Sequence, residues 1–500
     1  MRYKNVLILL LFVWNSSRLF ACQEDSLRTL IVFFDGLRPD YITKDLMPNL
    51  FAFSQTGSQG LNHKSVFPTV TRVNATSYST GSYPSMHGIL GNSIFFPASN
   101  SKKVFNTGEI RDLLQADSLL NGKLVSAVTL GDVLMREGKQ MVVFSSGSTG
   151  QAYLQNSSKG AIIFNTELPQ PDSVINTIGA IPPSAKPNSK RHQWITDALI
   201  KYGISKSGPL VSAIWYSDPD GAAHSDGIGS PAAIESIKSV DREFGRILSA
   251  LNSSGEYSHY NIIISTDHGF VTYIGKESLT KFLINKGFKQ NINSEDIIVA
   301  GGAIYISNGD TSLKRKIVYS LQETSQFGAI FMKPSSLNPM LGELPGTISY
   351  DAINWNFIER VPDILVDMNW NDSINEYGYR GSSFSSGVAG HGSLSPYETN
   401  IRLIVSGPSF KKGGTTSFPT ANVDIVPTIL KLHGIQQPST MQGRPVEELF
   451  ENVKSVKSKK AVNKIIEAST KIGSKNYRLR LHQIIYKGYT YIDYAETFRQ

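Results

Sequence analysis

Asp and His recur in this chain at spacings that can hold metal ions. Asp220 and His224 lie four residues apart in DPDGAAHSDG, about one turn of a helix, so both can face the same way. Asp267 and His268 are adjacent in STDHGF, His391 follows a glycine in AGHGSLSP, and Asp35 closes the apolar run TLIVFF. Mixed carboxylate and imidazole donors suit zinc, whereas an all-oxygen set would suit magnesium or calcium. Two tetrahedral ions with three protein ligands each would need all six residues, leaving open positions for a hydroxyl or a substrate oxygen. An isolated Asp-His pair is more often a surface turn, so the weight falls on the combination. The remaining histidines, His63, His87, His192, His259, His433 and His482, read as packed or solvated side chains, with His87 placed to buttress a neighbouring helix.

A second chemical resource is the stretch Ser65 to Asn92, SVFPTVTRVNATSYSTGSYPSMHGILGN. Thr69, Thr71, Thr76, Ser77, Ser79, Thr80 and Ser82 all carry hydroxyls there, and a hydroxyl becomes a nucleophile only when a base or a metal removes its proton. Residue types alone do not choose among the seven. They fit equally a polar loop that caps the helix after it.

The elements that must position these residues are legible as alternating strands and helices. Thr29 to Phe34 is a continuous apolar run of the kind a strand buried on both faces shows, and Met141 to Phe144, Leu210 to Tyr216 and Asn261 to Ser265 repeat the pattern. Helical spacing marks Pro48 to Thr56, Leu130 to Gly138, Ile234 to Leu251 and Val423 to Leu432. Alternation of this kind predicts an α/β fold with a mostly parallel central sheet flanked by helices. Ligands bind such sheets beyond the carboxyl ends of the strands, where Asp35, Asp218 or Asp220, and Asp267 all fall. Residues 22–275 and 386–450 read as this core. Residues 276–385 lose the regular pattern and are expected to form a cap inserted over the mouth of the site. The lysine-rich segment 451–500 reads as a solvated basic face followed by a β-hairpin around Lys487-Gly488.

Residues 1–21 have the layout of a signal peptide: Arg2 and Lys4, the apolar run Val6 to Trp14, then Ala21 as the small residue before cleavage. That run is too short to span a bilayer, which takes about 20 residues, so no transmembrane helix is expected and the product is exported, periplasmic or secreted. Cys22 is the only cysteine. Leu-Phe-Ala-Cys also resembles a lipoprotein cleavage box that would anchor the protein through lipid on Cys22, although bulky Phe20 favours simple cleavage. A glycan on the sequon at Asn74 would block the hydroxyl stretch, which together with the lack of disulfides favours a bacterial host. The net charge of +8 comes without an aromatic-plus-basic module, so no specific nucleic-acid partner is expected.

Taken in order, FFDGLRPDY, MPNL, VFPTVTRVNATSYSTGSYPSMHGILGN, SDPDGAAHSDG, STDHGF, GHGS and ANVDIVPTIL resemble the nucleotide pyrophosphatase/phosphodiesterase family of the alkaline phosphatase superfamily. The resemblance implies an alkaline-phosphatase-like fold and two Zn2+ per chain, one held by Asp35, Thr71, Asp267 and His268, the other by Asp220, His224 and His391. It further implies that Thr71 is the nucleophile, forming a phosphothreonine intermediate on a small phosphodiester or pyrophosphate substrate. Asn74 would stabilise phosphoryl oxygen, with the backbone N–H of Arg72 assisting.

Two departures bear on substrate. Arg72 stands where relatives that stack a base often have an aromatic residue, and Ala75 where a histidine is usual. Arg72 is therefore expected to bind an extra negative charge on the substrate. Phosphomonoester or phosphonate hydrolysis on the same site is the enzymatic alternative, and a catalytically lapsed binding protein the non-enzymatic one. A sulfatase would need a C/S-x-P-x-R motif, and a Ser-His-Asp hydrolase of this class a G-x-S-x-G elbow; the chain has neither at its reactive stretch.

Overall fold

The structure, a computed structural model, describes residues 27–99, 101–184, 186–453 and 460–500. The expected signal peptide and Cys22 lie outside the described residues. Among the described residues, no helix is long and apolar enough to cross a membrane.

The central sheet runs Ile162–Asn165, Met141–Ser145, Val211–Tyr216, Arg28–Phe34, Tyr260–Ser265, Asn400–Ser406 and Ser58–Lys64, with two short strands beyond. The first five are mutually parallel; only Asn400–Ser406 runs against its neighbours. The apolar run at its centre explains the layering. Leu30, Val32 and Phe34 pack into one core while Ile31 and Phe33 pack into another on the opposite face. Each side chain buried this way contributes about 1.5–3 kcal/mol, so the strand cannot slip register without exposing both faces.

Pro231–Ser253 is the long helix of the first face. Proline opens it, the Ser230 hydroxyl accepts from Ala233 N, and Ile237, Val240, Phe244, Ile247 and Leu251 form its buried stripe. Asp241 on the same helix accepts from the N–H groups of Asn49 and Leu50, closing the start of the helix Pro48–Thr56 in place of a local cap.

Residues 276–385 are more regular than their sequence reads. A five-stranded sheet, in the order Ile297–Ala300, Ala303–Ile306, Ile364–Met368, Phe327–Met332 and Ile348–Ser349, is backed by the helix Thr311–Glu323. Its other face is covered by the carboxyl-terminal strands Val462–Ile472, Lys475–Tyr486 and Tyr489–Arg499. Ile466, Tyr477, Leu479, Leu481 and Ile492 share one core with Phe331, Ile353 and Trp355. The lysine-rich stretch thus ends in a strand with one buried side, because its polar residues alternate with Ile466, Ala468 and Ile472.

Candidate metal centre and nucleophile

The carboxyl ends of the central strands bring seven sequence-selected residues to one place. Asp35 follows Arg28–Phe34, Asp267 and His268 follow Tyr260–Ser265, and Asp220 and His224 open the helix Asp220–Asp226. His391 follows the short strand Ala389–Gly390, and Thr71 is the first residue of the helix Thr71–Thr80. The crossing is tight. Gly36, at φ +69, turns the chain immediately after Asp35, its N–H donates to Asp267 Oδ1 at 3.0 Å, and a Cβ there would meet Asp220 Cβ at 3.1 Å.

Each histidine is oriented by a backbone carbonyl. His224 Nδ1 donates to Ala389 O at 2.9 Å, His268 Nδ1 to Gly269 O at 3.0 Å and His391 Nδ1 to Thr69 O at 2.8 Å. A carbonyl only accepts, so Nδ1 carries the proton and Nε2 presents its lone pair to the site. These lone pairs converge: His224 Nε2 and His391 Nε2 are 3.2 Å apart, and both lie within 3.3 Å of Asp220 Oδ1. His268 Nε2 is 3.0 Å from Asp267 Oδ2 and 3.7 Å from Asp35 Oδ1. The Thr71 hydroxyl donates to His268 Nε2 over 3.3 Å.

Asp35 Oδ1, Asp220 Oδ1 and Asp267 Oδ2 are buried and receive no hydrogen bond. Their partner oxygens on Asp35 and Asp267 are held, by Trp215 Nε1 and by Gly36 N. Burial raises the Asp35 pKa well above the carboxylate range, with the charges of Asp267 and Asp220 adding to it. For Asp220 burial acts upward too, but His224 and His391 together outweigh it and hold the pKa well below that range. Three carboxylates facing unprotonated nitrogens in a buried pocket are costly unless cations neutralise them. The residues fit metal: Asp220, His224 and His391 form one group with ligand atoms within 4.8 Å of one another, and Asp35, Asp220 and His268 form a second. Asp220 belongs to both groups, which separates this geometry from a clean division into two sets.

Two expected roles do not match the structure. Asn74 is fully buried, and its Nδ2 donates to Val66 O and Val70 O while its Oδ1 accepts from Val66 N and Asn422 Nδ2. Its amide is committed to holding the turn before Thr71, with none left for a phosphoryl oxygen. The backbone N–H of Arg72 is also occupied, donating to Asn92 Oδ1 at 3.2 Å. The Arg72 side chain lies against the turn after Met141–Ser145, where Nη2 donates to Ser148 Oγ.

The sequence reading missed three residues that shape the site. Asn92 turns its Oδ1 to Arg72 N, so its Nδ2 faces the other way, and among the described residues nothing accepts from it. Glu398 is buried and accepts from the N–H groups of Gly392 and Ser393 and from the Thr69 hydroxyl, tying the His391 loop to the turn before Thr71. Asn422 donates to Thr266 O as well as to Asn74, joining the Asp267 loop to the helix Thr71–Thr80. Asn92 and Asn422 lay in stretches already singled out, at the end of SMHGILGN and in ANVDIVPTIL; Glu398, two residues past AGHGSLSP, did not.

The family described as type I phosphodiesterase / nucleotide pyrophosphatase matches residues 29–390. The chain is 25% identical to bovine bis(5'-adenosyl)-triphosphatase ENPP4 over 439 residues, 86% of this chain and 84% of that one. It is 23% identical over 413 residues to mouse ectonucleotide pyrophosphatase/phosphodiesterase family member 1, covering 78% of this chain and 39% of that protein. Among solved structures, murine ectonucleotide pyrophosphatase / phosphodiesterase 5 superposes with a TM-score of 0.61 at 18% identity, over 85% of this chain and 100% of that one, which shows the shared fold. The match across most of the chain and the relatives it is similar to lead to one conclusion: the protein belongs to the type I phosphodiesterase / nucleotide pyrophosphatase family.

Proposed function

We propose that the protein is an exported hydrolase that cleaves phosphodiester or pyrophosphate bonds with Thr71 as nucleophile and two zinc ions as cofactors. The observation that carries this reading is the convergence of three Nε2 lone pairs on three buried carboxylate oxygens that receive no hydrogen bond. Asp35, Asp267, His268 and Thr71 would hold one ion, and Asp220, His224 and His391 the other, with Asp220 near enough to serve both. Bound there, the ions would supply Lewis acidity at the attacking and leaving oxygens and lower the proton affinity of the Thr71 hydroxyl.

The chain's own groups do the rest. Thr71 sits at the first position of its helix, where the helix dipole favours developing negative charge. Its oxygen forms the bond to phosphorus as the alcohol or phosphate half departs, giving a phosphothreonine, and water then releases the retained half from Thr71. Asn92 Nδ2, rather than Asn74, donates to a non-bridging oxygen. Arg72 can reach a further negative charge on the retained half. Export rests on the targeting pattern of residues 1–21 and agrees with relatives named ectonucleotide pyrophosphatases.

The test is direct. Purified protein cleaves bis-(p-nitrophenyl) phosphate faster than p-nitrophenyl phosphate, and intact-protein mass spectrometry of an acid-quenched reaction finds a phosphoryl adduct that Thr71→Ala lacks. Equal turnover by Thr71→Ala would overturn the mechanism.

A further inference from the structure

A cavity of about 370 Å3 lies between the central core and residues 276–385, and the candidate centre forms part of its wall. It meets the centre through His391 and Asn92; Thr71, Arg72 and His268 do not line it. Most of its wall is apolar, with Phe67, Leu90, Tyr305, Trp355 and Met368 contributing. Its charged lining is one-sided. Glu277, Asp367 and Glu398 border it, and no lysine or arginine does.

The position of this space matters in a displacement at phosphorus. The attacking and leaving oxygens stand on opposite sides of the phosphorus atom. Thr71 contacts His268, whereas the cavity opens beside His391, in the other group of candidate ligands. The departing half of a substrate attacked by Thr71 therefore falls on the cavity side, and the half retained on Thr71 falls on the Arg72 and Ser148 side. A second phosphate entering the cavity would meet acidic side chains and apolar rings with no lysine or arginine to pair it, a costly burial. An aromatic or aliphatic alcohol would replace water against those rings at a gain of about 25 cal/mol per Å2.

We propose that this cavity is the leaving-group subsite, and that it selects an uncharged, largely apolar alcohol over a phosphate-bearing leaving group. This rests on the diesterase reading above and narrows it from phosphodiester or pyrophosphate to phosphodiester.

The experiment uses phenylphosphonate esters of phenol, 2-naphthol and 4-phenylphenol, whose acidities are similar while their size grows, together with the 4-sulfophenyl ester as an anionic leaving group. Alcohol release by the zinc-loaded full chain gives kcat/KM for each. The wild type is expected to disfavour the sulfonated ring by about 10-fold or more. Ser386→Trp, at an exposed position on the cavity rim, is expected to lower kcat/KM for the 4-phenylphenyl ester about 10-fold more than for the phenyl ester. Glu277→Lys is expected to relieve the discrimination against the sulfonated ring, which keeps the test open should Ser386→Trp fold poorly. Exchanging phenylphosphonate for methylphosphonate in the retained half should leave these ratios unchanged. Variant effects equal for all leaving groups, or effects that follow the retained half, would overturn the subsite assignment while leaving the diesterase reading intact. No cleavage of any of these esters, together with none of bis-(p-nitrophenyl) phosphate, would instead sink the diesterase reading.

Discussion

The histidines of the strand-end rim, where His268 is buried and His224 exposed, are bonded differently from the fully buried His63 and His87 in the layer behind it. His63 bonds through both ring nitrogens, Nδ1 to Thr420 Oγ1 at 2.8 Å and Nε2 to Asn422 Oδ1 at 3.1 Å. His87 is likewise saturated, with Nε2 on Ser77 Oγ and Nδ1 accepting from Ile89 N. At the rim, His224, His268 and His391 each give Nδ1 to a carbonyl and leave Nε2 among carboxylates. Burial drives the His63 and His87 pKa values to about 3, so both stay neutral across the physiological range and need no counter-charge. At the rim Asp220 outweighs burial and raises the His224 pKa, an attraction for positive charge that a metal ion can answer in place of a proton. The lesson is that incomplete hydrogen bonding, more than the presence of histidine, separates a ligand from a packing residue.

Breaking the rim should produce the largest effects. Removing metal with a chelator is expected to abolish diester hydrolysis, zinc to restore it, and the melting temperature to rise on reloading, because saturation at about 1,000 times Kd adds about 4 kcal/mol of stability. Calorimetric melts of stripped and reloaded protein check the second point; a reloaded protein that melts no higher would put the carboxylate cluster outside the metal site. Thr71→Ala is expected to lower kcat by about 10³-fold or more while zinc content, read by elemental analysis, stays near wild type.

Next comes the contrast between two amides. Asn92→Ala removes a free donor and is expected to lower kcat by about 10²-fold or more, close to 3 kcal/mol, with little change in melting. Asn74→Ala removes four buried hydrogen bonds and is expected to destabilise the fold by about 2–4 kcal/mol in urea unfolding. Reversed outcomes for the pair would return the phosphoryl contact to Asn74. The smallest effect is expected behind the rim, where His63→Leu should cost about 1–3 kcal/mol of stability from the unpaired Thr420 and Asn422 groups and leave metal content unchanged.

Much of the rim was legible because its residues are read by type and by position. Asp35, Asp220 and Asp267 follow apolar runs that only buried strands produce, and the chemistry of Asp and His is intrinsic to the side chain. Asn74 and Asn92 show the limit. Both are amides in the same stretch, and what separates them is whether neighbours saturate them, which depends on Val66, Val70 and Asn422 approaching from elsewhere. The strand Ser58–Lys64, SQGLNHK, gave no apolar signal because a sheet-margin strand can be polar and still pair through its backbone. The strands within residues 276–385 were obscured for another reason. They are two to seven residues long, and part of the core that stabilises them is supplied more than a hundred residues later.

That late contribution bears on when the protein becomes active. Ala495 N donates to Leu394 O, Asp493 pairs with Lys64, and the Tyr491 hydroxyl bonds Asp424 at the end of the central core. Leu394 lies three residues past His391, so the loop carrying that candidate ligand gains a backbone partner from the strand Tyr489–Arg499. A polypeptide emerging from the ribosome can pair its parallel strands early, but it cannot brace the His391 loop until Tyr489–Arg499 has been made. The candidate centre would then be complete only after Tyr489–Arg499 has been made, and a chain that stops short of that strand would carry Thr71 beside an unbraced His391 loop.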